Sequence, residues 1–125
     1  MVIPGLIEMH CHILPGVDDG SKDTETSVKM LRRLALQGAE TVVLTPHYYS
    51  DSISLADFIA RRNAAFANLQ AALPPDAPRL LLGAEVYMSR YLMNNASVSQ
   101  ARGAPCWSIT SATTSARRPW IGSRR

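Results

Sequence analysis

Glu40-Thr41-Val42-Val43-Leu44-Thr45-Pro46-His47 decides how the rest of the chain is read. The stretch is β-branched and almost continuously apolar, which is the pattern of a strand buried on both faces in a parallel sheet covered by helices. It ends on a histidine. Upstream, Val2 to Met9 reads as a first strand, with Pro4 and Gly5 delaying its ordered start to Leu6. That strand runs straight into His10-Cys11-His12. Downstream, Arg79-Leu80-Leu81-Leu82-Gly83-Ala84-Glu85-Val86 reads as a third strand with a carboxylate near its C-terminal end.

Helical patterns separate the three strands. Asp23 is placed to cap a first helix, with Glu25 near its positive end. Val28, Leu31, Leu34 and Ala35 share one face, and Gly38 supplies the stop. Ser54 with Asp57 forms a capping-box pattern for a second helix. Its apolar face is Phe58, Ala65, Phe66, Leu69 and Leu73, and Pro74-Pro75 terminates it. Arg32-Arg33 and Arg61-Arg62 are expected on solvated helix faces. Residues 13–20 hold turn formers and read as a loop over the first strand's C-terminal end. The alternation predicts an α/β fold of parallel strands joined by right-handed crossover helices, with functional groups gathered at the strands' C-terminal ends.

Composition narrows the class. At 125 residues, 46% hydrophobic and 18% charged, the chain suits one globular domain, yet it is short of the roughly 250 residues of a closed eight-unit barrel. No run of about 18 apolar residues is present, and His10 comes too early for a signal peptide, so the expectation is a cytoplasmic protein without direct membrane insertion. The net charge of +3 does not indicate nucleic acid. Residues 1–100 hold 8 Lys/Arg against 10 Asp/Glu, and the excess lies in the 5 arginines of residues 101–125. That segment contains no Asp, Glu or Lys and lacks apolar periodicity. Residues 96–125 therefore read as an irregular basic tail, and the abrupt switch fits a shifted reading frame or a disordered tail.

All three histidines, His10, His12 and His47, fall at strand ends, beside Asp18, Asp19 and Glu85. Alternate residues of an extended segment point the same way, so His10 and His12 can face one ion while Cys11 turns into packing. Mixed nitrogen and oxygen donors suit Mn²⁺, Fe²⁺ or Zn²⁺. Ions held close together activate water and neutralise a phosphate. Glu8 lies on the histidine side, either as a ligand or as a partner of a ligand imidazole. Cys11 and Cys106 form no CxxC pair. Cysteine phosphatases need arginine six residues after the nucleophile, where this chain has Val17 and Ala112. Tyr48, Tyr49, Tyr87 and Tyr91 could line a substrate mouth or sit at the core's edge. No side chain is singled out as a catalytic group.

The string Ile7-Glu8-Met9-His10-Cys11-His12-Ile13-Leu14-Pro15-Gly16-Val17-Asp18-Asp19-Gly20 closely resembles the opening of a bacterial enzyme family. These are the manganese-dependent tyrosine-protein phosphatases of the polymerase and histidinol phosphatase (PHP) superfamily, associated with capsular and exopolysaccharide biosynthesis. Thr45-Pro46-His47 and Gly83-Ala84-Glu85-Val86-Tyr87 resemble its next two signatures in order, and the likeness spans about residues 3–93. It implies a distorted (β/α)₇ barrel with a trinuclear metal centre, of which residues 1–95 would be the N-terminal portion. By resemblance, His10 and His12 bind one Mn²⁺ and Glu85 bridges a pair. Asp19, in preference to Asp18, and His47 help hold the third.

The implied substrate is phosphotyrosine on a polysaccharide-export tyrosine kinase. The runner-up is a small phosphate monoester, and a structural fragment without activity is the alternative of a different class. Family members often have aspartate at the position of Glu8 and a second histidine at that of Tyr48. They also draw further histidines, an arginine and terminal ligands from a second half. No histidine follows His47 here, so at least two ions are expected to be weakly held.

Overall fold

A computed structural model describes residues 1–87, 89–90 and 107–109 of the chain. Strand β1 spans Leu6–Cys11, helix α1 Thr24–Leu36, β2 Ala39–Leu44, β3 His47–Tyr48, α2 Leu55–Ala71, β4 Arg79–Val86 and β5 Trp107–Ile109. The sheet is parallel throughout. β1 pairs with β2, and β2 and β3 both pair with β4. Glu85 is in register with His47 and also with Ile109, so β3 and β5 lie on opposite edges of β4. The expected α/β order is present as the N-terminal part of a barrel-type sheet, with helices crossing between parallel strands. In the stretch expected to be an irregular tail, Trp107–Ile109 forms a strand. The remainder of residues 96–125 lies outside the described residues, as does Tyr91.

Local chemistry sets the element ends. The Asp23 carboxylate accepts from the Thr26 N–H at 2.7 Å, filling one of the donors that the first turn leaves open. At the other end Gly38 has φ of 101°, and a Cβ there would meet the Ile3 carbonyl. Both facts require glycine at that point, where the chain turns directly into β2. Ser54 caps α2 by accepting from the Asp57 N–H at 3.1 Å. The reciprocal arm of the expected capping box is altered: the shorter Asp57 side chain takes the Ser54 hydroxyl at 2.7 Å.

The main core forms where both helices lie on the sheet. Leu31 of α1 and Leu69 of α2 pack with Val42 and Leu44 of β2, all at 1% exposure or less. Each such side chain contributes about 1.5–3 kcal/mol by leaving water. Two further members, Ile13 and Leu14, come from the loop after β1 and are 2% and 1% exposed. That loop is thus anchored in the core instead of merely passing over the strand end. Ser27, fully buried within α1, donates to the Ile13 carbonyl and bonds the Ser21 hydroxyl at 2.7 Å, pinning both ends of the loop to the helix. A second cluster joins Tyr48, Phe58, Ala84 and Val86. By contrast, Ile7 and Met9 of β1 are 53% and 44% exposed.

Arg62 departs from the solvated position expected of it. It is 6% exposed, its Nη1 donates to the Gly83 carbonyl at 3.0 Å, and its guanidinium carbon lies 5.7 Å from the Phe58 ring centroid. The arginine thus ties α2 to β4 just before Glu85. Arg32, Arg33 and Arg61 remain exposed. Replacing Arg62 by Met keeps the aliphatic stem but removes a charged donor from a buried carbonyl. Arg62→Met should therefore lower unfolding stability by about 1.5–3 kcal/mol in urea titrations, whereas Arg61→Met should stay within about 0.5 kcal/mol.

Candidate metal centre

The histidines reach one place because the strands are locked together at their C-terminal ends. Thr45, fully buried, donates its N–H to the Cys11 carbonyl at 2.9 Å and accepts from the Cys11 N–H at 3.0 Å through its hydroxyl. β2 and β3 are one strand interrupted at Thr45-Pro46, and the pairing register with β4 survives the break. Leu44 faces Leu82 and His47 faces Glu85, while the Pro46 carbonyl accepts from the Glu85 N–H at 2.9 Å. Proline has no N–H to offer the ladder, which accounts for the interruption. The sequence places His47 at the strand's end, and the pairing with β4 runs one residue further, to Tyr48.

β1 has its own irregularity. Its register on β2 shifts between Glu8 and Cys11, a bulge of the kind that re-aims side chains near sites. The Glu8 carboxylate accepts from the His10 backbone N–H at 2.9 Å. That bond satisfies a backbone donor at the irregular stretch of β1. Cys11 points to the other side of the strand, as alternation predicts, and its thiol donates to the Val43 carbonyl at 3.3 Å.

One carboxylate oxygen gathers the set. Glu85 Oε2 lies 3.0 Å from His10 Nε2, 3.1 Å from His12 Nε2 and 3.4 Å from His47 Nδ1. The two Nε2 atoms are 3.2 Å apart. Ligand atoms at about 2.1 Å around one octahedral ion are separated by roughly 3.0 Å, so this triangle of donors has the right size for a first-row divalent cation. Glu85 itself is 9% exposed. Around His47 a second group forms, comprising His12, Asp18, Asp19 and His47. His12 belongs to both groups.

The two aspartates divide the work unequally. Asp18 Oδ2 lies 2.9 Å from His12 Nδ1 and 3.2 Å from the His47 N–H, and Oδ1 accepts from the Gly20 N–H at 3.0 Å. Burial alone would raise this carboxyl's pKa, but the bonds from His12, Gly20 and His47 outweigh it and hold the group below its ordinary value. An ionised Asp18 accepts a hydrogen bond from His12 Nδ1–H, the tautomer that turns the Nε2 lone pair toward Glu85. A lone pair facing a carboxylate is repulsive unless a proton or cation intervenes, so the arrangement fits a metal ion. Asp19, by contrast, has an 83% exposed side chain with Oδ1 3.3 Å from His47 Nε2. A cleft of about 470 Å³ opens beside it, lined by Asp18, Asp19, His47, Tyr49 and Arg61 among others. The five expected ligands His10, His12, Asp19, His47 and Glu85 are thus brought together across the two groups. The orienting contact of Asp18 was not foreseen, since its adjacency to Asp19 carries no directional signal.

Cys11 stands between two of these histidines yet is chemically quiet. Burial raises its thiol pKa, with the nearby carboxylates of Glu8 and Asp18 adding to the rise. A backbone hydrogen bond from Ile13 opposes it, and the value is pushed up to about 12. At pH 8 iodoacetamide should therefore modify Cys11 in a Cys106→Ser background at least about tenfold more slowly in the folded protein than in urea, as followed by mass spectrometry.

Comparison with known proteins identifies relatives of the chain. A family model described as "Capsular polysaccharide synthesis, CpsB/CapC" matches residues 6–103. Tyrosine-protein phosphatase YwqE of Bacillus subtilis is 46% identical over 43 residues, which is 34% of this chain and 17% of that protein. Tyrosine-protein phosphatase CpsB of Streptococcus agalactiae is 25% identical over 95 residues, which is 76% of this chain and 39% of the relative. The chain thus spans well under half the length of these relatives. A solved structure from work on YwqE of Bacillus subtilis and CpsB of Streptococcus pneumoniae, described as unique metal-dependent tyrosine phosphatases, aligns with a TM-score of 0.51 at 25% identity, covering 76% of this chain and 38% of the other. With most of its length matched by the family model and its strand ends assembled as described, the chain belongs to the CpsB/CapC family of capsular polysaccharide synthesis.

Proposed function

We propose that this chain is the N-terminal part of a metal-dependent protein-tyrosine phosphatase whose ions are held by His10, His12, Asp19, His47 and Glu85. The observation that carries this reading is the single Glu85 oxygen within 3.4 Å of ring nitrogens from His10, His12 and His47. Divalent ions bound there, with Mn²⁺ the proposed species, would supply water activated at neutral pH and charge to neutralise a phosphate. The protein's own contributions are geometric and electrostatic. Asp18 orients His12, the Thr45 clamp fixes β1 against the β2–β3 joint, and Asp19 presents an exposed carboxylate to the cleft. Residues 1–95 are the proposed portion of the phosphatase domain.

The substrate follows from the relatives, which carry the name tyrosine-protein phosphatase. We take it to be a phosphotyrosine protein in the cytoplasm, with a polysaccharide-export tyrosine kinase as the expected partner and reversal of its autophosphorylation as the role in capsule synthesis. Among the described residues, no helix is long and apolar enough to cross a membrane.

Manganese should stimulate hydrolysis of a phosphotyrosine peptide, and both chelation and His10→Ala should abolish it. Equal turnover by metal-free protein would overturn the reading. In a separate measurement, Mn²⁺ titration followed by electron paramagnetic resonance should show Asp18→Ala binding the ion about 10–100-fold more weakly, through loss of the His12 orientation.

A further inference from the structure

We propose that Tyr49 and Tyr87 form a stacking platform that selects aromatic phosphate esters over alkyl ones beside the metal cluster. The proposal rests on the phosphatase reading and adds the side chains that would recognise the organic part of the substrate. Four rings run outward in file. His12 stacks on His47 with centroids 4.4 Å apart at 26°, His47 on Tyr49 at 5.6 Å and 25°, and Tyr49 meets Tyr87 at 5.8 Å and 46°. The first two rings carry candidate metal-donor nitrogens, while the outer two are phenols without such a donor. Tyr49 lines the same 470 Å³ cleft as Asp19 and His47.

The contrast with Tyr48 shows that Tyr49 is not core packing. Tyr49 directly follows β3, and successive residues of an extended segment point to opposite sides. Tyr48 is 4% exposed, in the second core cluster, with its ring 4.8 Å from that of Phe58. Tyr49 and Tyr87 are 43% and 36% exposed. Two neighbouring rings left in water offer planar apolar surface to a ligand, and they prefer an offset or edge-on aromatic partner. A phosphate drawn to ions held by Asp19 and His47 would leave the organic part of its ester in the same cleft, beside the next ring along, which is Tyr49. An aryl group can stack there, whereas a serine- or glycerol-derived chain has no face to offer.

Calorimetric titration of the Mn²⁺-loaded full chain with inorganic phosphate and two non-hydrolysable ligands, phenylphosphonate and 2-hydroxyethylphosphonate, tests this. Phenylphosphonate should bind about tenfold more tightly than 2-hydroxyethylphosphonate. Tyr49→Leu should weaken phenylphosphonate about five- to tenfold while leaving inorganic phosphate unchanged, and Tyr49→Phe should keep the wild-type preference. Phosphate binding without preference for phenylphosphonate, or an equal loss for all three ligands in Tyr49→Leu, overturns the platform and leaves the metal-site reading standing. Failure of the Mn²⁺-loaded protein to bind inorganic phosphate overturns both.

Discussion

The carboxylate of Glu85 is the constraint around which the described structure is organised. It sits at the end of a buried strand with a 9% exposed residue surface, where an uncompensated negative charge would be costly. Three imidazoles on two other strand ends face it, placed to share an ion with it, and each of them depends on backbone pairing for its position. The clamp of Thr45 on Cys11 sets His10 and His12 relative to β2. The bond from the Glu85 N–H to the Pro46 carbonyl sets His47 relative to β4. Loss of either link would separate the carboxylate from the imidazoles. Site geometry and sheet register are therefore one property of the chain.

Much of this was legible in the sequence because it depends on local pattern. The β-branched run ending at His47, the apolar run ending at Glu85 and the alternation of His10 with His12 each report a strand and the direction of its side chains. Periods of three and four residues located both helices, and Asp23, Ser54 and Gly38 marked their ends. Since parallel strands expose functional groups at one end of a sheet, convergence of these groups followed from topology without any knowledge of contacts.

What was not legible depends on partners distant in sequence. Arg62 looks like a surface arginine until β4 supplies a buried carbonyl for it. Ile13 and Leu14 sit among turn formers, and only the packing of α1 and α2 makes them core residues. Ser27 carries no signal in the helical pattern, and its hydroxyl answers a loop carbonyl fourteen residues earlier. Asp18 and Asp19 are chemically identical neighbours, and only the loop's path makes one an orienting group and leaves the other exposed. In each case the sequence showed the chemical group while the fold determined its partner.

The loop from Ile13 to Ser21 has a mechanical consequence. It is closed by the Gly16–Ser21 and Ser21–His12 backbone bonds, sunk into the interior through two aliphatic side chains and stitched to α1 by Ser27. At Gly20 even a methyl group would collide with His12. A rim built in this way is tied down at several points along its length. The cleft is thus bordered on this side by a surface whose shape and charge are set by the core beneath it, and whatever enters there meets a wall that packing has already built.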